Sequence, residues 1–143
     1  MADRRDPMIK AINLLHRSLF NATKGRLGGR IGGMEAVALT TTGRKTGEKR
    51  TSMLTAPIVE GDKIVLIASY GGGPKHPQWY LNLQSNPQVE VTRAGKTITM
   101  NARTAEPDER AELWPRVTSS YKGYAGYQEK TDREIPVVIL TPA

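Results

Sequence analysis

The fold is decided by residues 36–69, AVALTTTGRKTGEKRTSMLTAPIVEGDKIVLIAS, in which short apolar runs are separated by turn residues. In the first run, Val37, Leu39 and Thr41 alternate with Ala36, Ala38 and Thr40, which is typical of a half-buried β-strand. The separating segments place glycine beside charged residues, as short hairpin turns do. The pattern predicts three consecutive antiparallel strands over residues 36–41, 50–59 and 63–69.

The pattern continues towards the C-terminus, where two helical segments interrupt the strands. Because closing a sheet removes exposed edges, about six antiparallel strands with short connections predict a small barrel. We therefore expect a mainly β, α+β fold with one hydrophobic core. The further predicted elements are strands over 89–92, 96–103 and 135–140, a helix over 77–83, and a helix that begins at Pro107.

Residues 1–33 differ in character from the rest of the chain. Apolar residues recur at near-helical spacing over 7–21, after an aspartate and a proline that favour a helix start. Residues 24–33 are basic and glycine-rich, as linkers are. We thus divide the chain into a basic amphipathic helix with its linker, residues 1–33, and a barrel domain, residues 34–143. Such a helix either lies on an anionic membrane surface or packs on its own domain, and both remain open.

The charge of the chain is placed unevenly. The formal net charge is +7, and residues 1–50 hold eleven basic side chains against four acidic ones. An anionic partner is therefore expected at that end, although a basic surface can also serve solubility alone. Nucleic acid is not expected, because Phe20 is the only aromatic side chain among these cations.

Composition excludes several classes of chemistry. The chain has no cysteine and only two histidines, His16 and His76, so neither thiol catalysis nor a metal site is predicted. No apolar run is long enough to span a bilayer, and the N-terminus leads into no cleavable apolar segment. We expect a cytoplasmic protein, which would be peripheral at the inner face of the plasma membrane if the helix binds lipid. The oligomeric state stays open.

Two turns contain residues suited to binding a ligand. Arg44, Lys45 and Thr46 stand between two glycines after a strand, and Arg50 follows, so this turn predicts an anion site. A polar hairpin tip without a ligand is the alternative. Gly71-Gly72-Gly73 follows another strand and exposes backbone at the barrel rim, a position suited to a ligand.

Aromatic residues suggest where a flat ring would bind. Trp79 and Asn82 lie one helical turn apart and offer a ring and an amide, although a helical tryptophan is more often part of a core. Tyr121, Tyr124 and Tyr127 repeat every third residue, which predicts one face of a helical turn that walls a pocket or simply packs. With no catalytic triad or carboxylate pair in evidence, a cofactor must carry any reaction.

Five ordered motifs between roughly residues 36 and 142 resemble the deazaflavin-dependent nitroreductase family of actinobacteria. The resemblance implies a split β-barrel related to flavin-mononucleotide-binding reductases. It also implies coenzyme F420, a deazaflavin on a phosphodiester arm that ends in glutamates. The motifs are TTTGRKTG at 40–47, ASYGG at 68–72, PKHPQWYLNLQSNP at 74–87, YKGYAGYQ at 121–128 and TDREIPVV at 131–138.

The same resemblance implies roles for individual residues. Reduced F420 would pass a hydride to a quinone or another conjugated, electron-poor acceptor such as an unsaturated carbonyl or a nitroaromatic. Tyr121, Tyr127 and Ser69 would position that acceptor. The implied cofactor residues are Arg44, Lys45, Thr46 and Arg50 for the anionic arm, and Thr51, Ser52, Met53, Leu54, Thr55, Ile67, Ala68, Ser69, Tyr70, Gln78, Trp79, Asn82 and Tyr124 for the ring. A non-catalytic basic barrel that binds an anionic polymer or a membrane surface is the alternative.

Overall fold

A computed structural model of the chain describes residues 30–31 and 34–143, with a curled antiparallel sheet at its centre. The predicted helix over 7–21 and most of the predicted linker lie outside the described residues. The strands are β1 (Arg30–Ile31), β2 (Met34–Thr42), β3 (Lys49–Ala56), β4 (Ile58–Glu60), β5 (Lys63–Ile67), β6 (Gln88–Arg93), β7 (Lys96–Thr104) and β8 (Val137–Pro142). The helices are α1 (Gln78–Ser85), α2 (Pro107–Ser120) and α3 (Gly123–Glu129), and Tyr70–Gly72 form a short 3-10 helix.

All six predicted strands are present, with two differences. The predicted strand over 50–59 is divided into β3 and β4 at Pro57, which has no N–H for the strand ladder. Arg30 and Ile31, predicted as linker, form β1 against the start of β2. The predicted barrel of about six antiparallel strands is thus confirmed, since β3 and β4 are one bent strand and β1 has two residues.

The change of partner at Pro57 curls the sheet. The strands follow the order β1, β2, β6, β7, β8, β5, β4, and β3 pairs with β2 outside this path. Because β3 pairs with β2 and the adjoining β4 pairs with β5, the bent strand connects the two ends of the sheet. The cofactor-binding candidates on β3 are therefore held by pairing at both ends of the bend.

The core has an inner and an outer part, separated by the pleat of β5 and β8. Val138 and Leu140 point into the barrel, where Trp79 and Leu83 of α1 also pack. Val137 and its alternate neighbours face the other way, under α2 and α3. Since both faces of these two strands are buried, their sequences are continuous apolar runs rather than alternating ones.

The helix predicted from Pro107 is confirmed as α2. Pro107 is its first residue, a position where a proline costs no hydrogen bond. The Glu109 carboxylate accepts the N–H of Glu106 at 3.0 Å and pairs with Arg103. The hydrogen bond from Arg103 lowers the pKa of Glu109 to about 2. Within residues 30–31 and 34–143, no helix is long and apolar enough to cross a lipid bilayer.

Candidate functional site

The turn between β2 and β3 presents its cations to solvent. Its two glycines use their N–H groups inside the turn: Gly43 donates to Glu48 O at 2.7 Å and Gly47 donates to Gly43 O at 2.8 Å. The Thr46 hydroxyl accepts the Glu48 N–H at 3.2 Å. These bonds leave the side chains of residues 44–46 exposed, and within the described chain Lys45 has no hydrogen bond or ion pair.

Asn82 of α1 holds this turn in place. Its Oδ1 accepts the backbone N–H of Arg44 at 3.2 Å and Nη1 of the same residue at 2.9 Å. Its Nδ2 donates to the buried hydroxyl of Thr41 at 3.3 Å. Asn82 is only 4% exposed, so in this structure the amide that was predicted to meet a ring supports the β2–β3 turn instead. Its contact with a cofactor stays a prediction.

Arg50 adds a further exposed cation beside the turn. Its Nη2 lies 3.2 Å from a carboxylate oxygen of Glu48, and both side chains are largely exposed. Surface ion pairs of this kind are worth about 0–1 kcal/mol. An anionic ligand therefore has little to displace, and Arg44, Lys45 and Arg50 together form a basic turn.

The pleat of β3 divides the five residues that were predicted to line a ring. Leu54 packs against the inner core cluster, and Ser52 lies on the same face. Thr51, Met53 and Thr55 lie on the outward face of β3. On this face Met53 is buried with Ala36 and Ala38, and Thr51 and Thr55 are partly buried. Ser52 and Leu54 can reach a ligand on this face through their backbone alone.

The end of β5 and the following turn place another part of the predicted site. Ile67, Ala68 and Ser69 are buried, and Tyr70 has a left-handed backbone with φ of 47°. A Cβ on Gly72 would lie 2.8 Å from the carbonyl oxygen of Tyr127, so this glycine lets the turn pack directly on α3. The turn and α3 are thereby held against each other.

The three tyrosines meet, although not as predicted. Tyr121 directly follows α2 and has an extended backbone, so the prediction of a single helical turn is wrong for it. The chain then reverses into α3, and the Tyr121 ring lies 5.2 Å from that of Tyr124 and 6.3 Å from that of Tyr127. Gly123 permits this arrangement, because a Cβ there would collide with the Tyr121 ring.

The tyrosine cluster joins α3 to β3. The Tyr124 hydroxyl, inside the protein, lies 3.1 Å from the Thr55 hydroxyl, and burial raises the pKa of Tyr124. A hydrogen bond with Tyr121, followed by burial, raises the pKa of Tyr127 to about 12. Tyr124 and Tyr127 are therefore neutral phenols at physiological pH, and the Tyr121 side chain remains partly exposed at the surface of the cluster.

The two remaining predicted residues lie at the start of α1. Gln78 is exposed, whereas Trp79 is 7% exposed and packs in the inner core. The side chains packed around Trp79 are apolar. Its contact with a cofactor ring stays a prediction. In the described part of the chain, no group of three or more His, Asp or Glu residues could hold a metal ion.

Sequence reasoning gave no role to Arg133, which lies within the last quoted motif. Its Nη1 lies 2.9 Å from Nδ1 of His76 and also donates to the Ala68 carbonyl, and its Nη2 donates to the Ser69 carbonyl, just after β5. Burial, and then the charge of Arg133, lower the pKa of His76. The available signal was its position as the one cation in the motif at 131–138.

The comparison with known proteins decides the family. A family model described as F420H(2)-dependent quinone reductase matches residues 14–142. The chain belongs to this family. An F420H(2)-dependent quinone reductase of Mycobacterium tuberculosis is 40% identical over 131 residues, which cover 89% of this chain and 87% of that protein.

Solved structures agree with this assignment. The structure described as F420-H2 dependent reductase (FDR-A) is 44% identical, has a TM-score of 0.67, and covers 73% of this chain and 92% of its own. A second structure, described as a domain-swapped dimer, is 38% identical with a TM-score of 0.67 and covers 87% of this chain and 98% of its own. The predicted family and its split-barrel fold are confirmed, and the roles of individual residues remain predictions.

Proposed function

We propose that this protein is an F420-dependent oxidoreductase that uses reduced F420 to reduce quinones or related conjugated, electron-poor acceptors. β3 carries the proposal, because this strand runs from Arg50 in the basic turn to Thr55 beside the tyrosine cluster. Five residue steps along a strand span about 17 Å. A cofactor with an anionic arm at one end and a flat ring at the other needs such an elongated surface.

The residues present fit this cofactor. Ser69 is 8% exposed, yet neither its N–H nor its hydroxyl has a hydrogen-bond partner in the described chain. Buried polar groups without partners are rare in folded proteins and indicate a place where a ligand supplies them. At the other end of β3, Lys45 and Arg50 provide the charge that a phosphodiester and glutamate carboxylates require.

Different residues of the chain would bind different parts of the cofactor. Lys45 and Arg50 bind the arm, and Asn82 keeps Arg44 in place beside them. Bound F420, when reduced, supplies the hydride. Ser69 donates hydrogen bonds at the ring end, and orientation of this kind accounts for a large part of enzymatic rate enhancement.

The tyrosine cluster would serve the acceptor. The pKa of Tyr127, raised to about 12, keeps its phenol protonated near neutral pH, so it can donate a hydrogen bond to an acceptor oxygen. Tyr121 is partly exposed and can line the entrance. We further propose that the basic residues of the N-terminal region bring the enzyme to an anionic membrane surface, where quinone acceptors are concentrated.

An anaerobic titration tests the proposed function. We expect saturable binding of F420 at low salt, and oxidation of reduced F420 by menadione only when the protein is present. A flavin mononucleotide titration under the same conditions serves as the control for unspecific ring binding. Absence of F420 binding at low salt would contradict the proposal and leave the non-catalytic basic barrel as the alternative.

A further inference from the structure

Arg133, between α3 and β8, has no part in the function proposed above. Its guanidinium lies against the segment that follows β5, here called the post-β5 segment, residues 68–73. Nη1 donates to Ala68 O at 3.2 Å, Nη2 donates to Ser69 O at 2.7 Å and Nε donates to Gly73 O at 3.0 Å. One side chain thus holds three carbonyl groups at both ends of this segment.

The post-β5 segment needs such support. Its first carbonyls are buried and lie beyond the strand ladder, and unpaired buried carbonyls are unfavourable. Tyr70, Gly71 and Gly72 have φ values of 47°, 63° and 79°, and a left-handed conformation is strained for a tyrosine. Strained backbone persists where surrounding contacts determine it, and it is found most often at functional sites.

The contact of Arg133 with Ala68 bears directly on Ser69. The carbonyl of Ala68 and the N–H of Ser69 belong to one trans peptide group, so they point in opposite directions. The Ser69 N–H therefore points away from the guanidinium. A cation that binds the carbonyl also polarises the peptide group and makes its N–H a stronger donor.

Stability alone does not explain the choice of a cation at this position. Arg133 is half-buried, and burial lowers its pKa. In residues 30–31 and 34–143, no carboxylate forms an ion pair with it. Its backbone is fixed separately, because Gln128 Nε2 donates to the Arg133 carbonyl at 2.8 Å. Burying a cation without a counter-ion costs free energy. Its positive charge, however, can hold peptide carbonyls in one orientation.

We infer that Arg133 is a positioning residue that aims the Ser69 N–H and hydroxyl at the cofactor. This inference rests on the proposed function, since it takes Ser69 as a cofactor contact. Arg133 would act through the backbone of the post-β5 segment and would not touch the cofactor itself. The peptide group held in this way would act as a fixed dipole that is oriented before the ligand binds.

Substitutions of Arg133, with matched control substitutions of Arg93, test the inference. Arg133→Met removes the donors and keeps most of the volume, and Arg133→Lys keeps the charge and reaches fewer carbonyls. Arg93→Met is the control, because Arg93 is also half-buried and makes two hydrogen bonds to Glu35, on a strand that does not pair with β5. Amide hydrogen exchange of residues 69–73 is measured without cofactor, and F420 affinity is measured by titration.

We expect exchange in the post-β5 segment of the Arg133→Met protein to be at least tenfold faster, and its F420 dissociation constant to be about tenfold higher. The Arg133→Lys protein should be intermediate, which keeps the test valid if the methionine variant fails to fold. Low-millimolar methylguanidinium should partly restore both values in Arg133→Ala, where it can enter the vacated space, but not in Arg93→Ala.

Three results would overturn the inference, and they are distinguishable. If exchange and affinity in Arg133→Met match those of Arg93→Met, Arg133 does not hold the segment. If exchange rises but affinity does not change, its role is structural only. If the wild-type protein itself fails to bind F420, the proposed function is wrong and the inference fails with it.

Discussion

At the scale of single residues, substitution of Lys45 tests cofactor binding without a change in stability. It is exposed on the β2–β3 turn and has no partner in the described chain, so its removal should not affect stability. A charge-assisted hydrogen bond contributes about 1.5–3 kcal/mol, which corresponds to roughly tenfold or more in affinity. We expect Lys45→Ala to raise the F420 dissociation constant about tenfold in a low-salt titration, with an unchanged melting temperature. Lys96→Ala, on the exposed β6–β7 hairpin, is the control, and equal affinity of both variants would remove the turn from the site.

His76 gives stability a pH dependence. Its Nδ1 lies 2.9 Å from a donor nitrogen of Arg133, so the neutral ring is the form that fits. Burial, then the charge of Arg133, lower its pKa in the folded protein below the value of about 6.5 expected when unfolded. The unfolded chain therefore binds more protons as pH falls through this window. This contribution to stability is complete above pH ~6.5 and is lost below it.

A comparison with His76→Asn isolates this effect. Asparagine keeps an acceptor near the position of Nδ1 and does not titrate. We expect the melting temperature of the wild-type protein to fall relative to that of His76→Asn between about pH 7.5 and pH 5. Parallel melting curves over that range would show that the ring nitrogen does not contribute to this pH dependence.

Tyr127 tests the acceptor side of the site. Its hydroxyl interacts with that of Tyr121, and its pKa of about 12 makes it a donor rather than a phenolate. Tyr127→Phe keeps the ring contacts and should change stability little. We expect kcat/KM for menadione to fall about tenfold, because a positioning hydrogen bond is lost, with F420 affinity retained. Wild-type kinetics in this variant would mean that the tyrosine cluster only packs.

At the scale of secondary-structure elements, Asn82 connects α1 to the β2–β3 turn. Replacing it with leucine leaves the Arg44 N–H and the buried Thr41 hydroxyl without partners. We expect Asn82→Leu to lose about 1–3 kcal/mol of unfolding free energy. Asn82→Asp, which keeps an acceptor for Arg44, should lose less.

A double-mutant cycle shows whether this connection matters for binding. If Asn82 acts by fixing Arg44, the effects of Asn82→Leu and Arg44→Ala on F420 affinity should not add, because either change frees the same side chain. The measurement is the F420 dissociation constant of both single variants and of the double variant. Additive effects would indicate instead that Asn82 contacts the cofactor independently, as the family resemblance implied.

At the scale of the whole molecule, the charge is divided between the N-terminal region and the barrel. Residues 1–29 hold six basic and two acidic side chains, and they precede β1. Basic segments near an anionic bilayer contribute about 1 kcal/mol per cation. We expect a protein that lacks residues 2–29 to bind F420 but to float less with phosphatidylserine-containing liposomes than the full chain. Neutral liposomes are the control, and equal flotation of both proteins would refute the proposed membrane contact.

Local pattern accounts for most of the fold. Short apolar runs between turn residues predicted every strand except the two-residue β1, and Pro107 with the acidic residues after it marked the start of α2, because periodicity and end signals act over a few residues. The ordered motifs also indicated the family, which the comparisons confirm. The division at Pro57 was readable in principle, since proline interrupts a strand ladder wherever it occurs.

By itself, then, the sequence determined the elements, the basic turn and the family. Only the tertiary structure decided which side chains share a surface: Asn82 with Arg44, Thr55 with Tyr124, and Arg133 with the post-β5 segment. These pairs are separated by 38, 69 and 64 residues. No local preference specifies such contacts, because they depend on how the curled sheet and the helices pack, and the hydrogen bonds form only where that packing places donors beside acceptors.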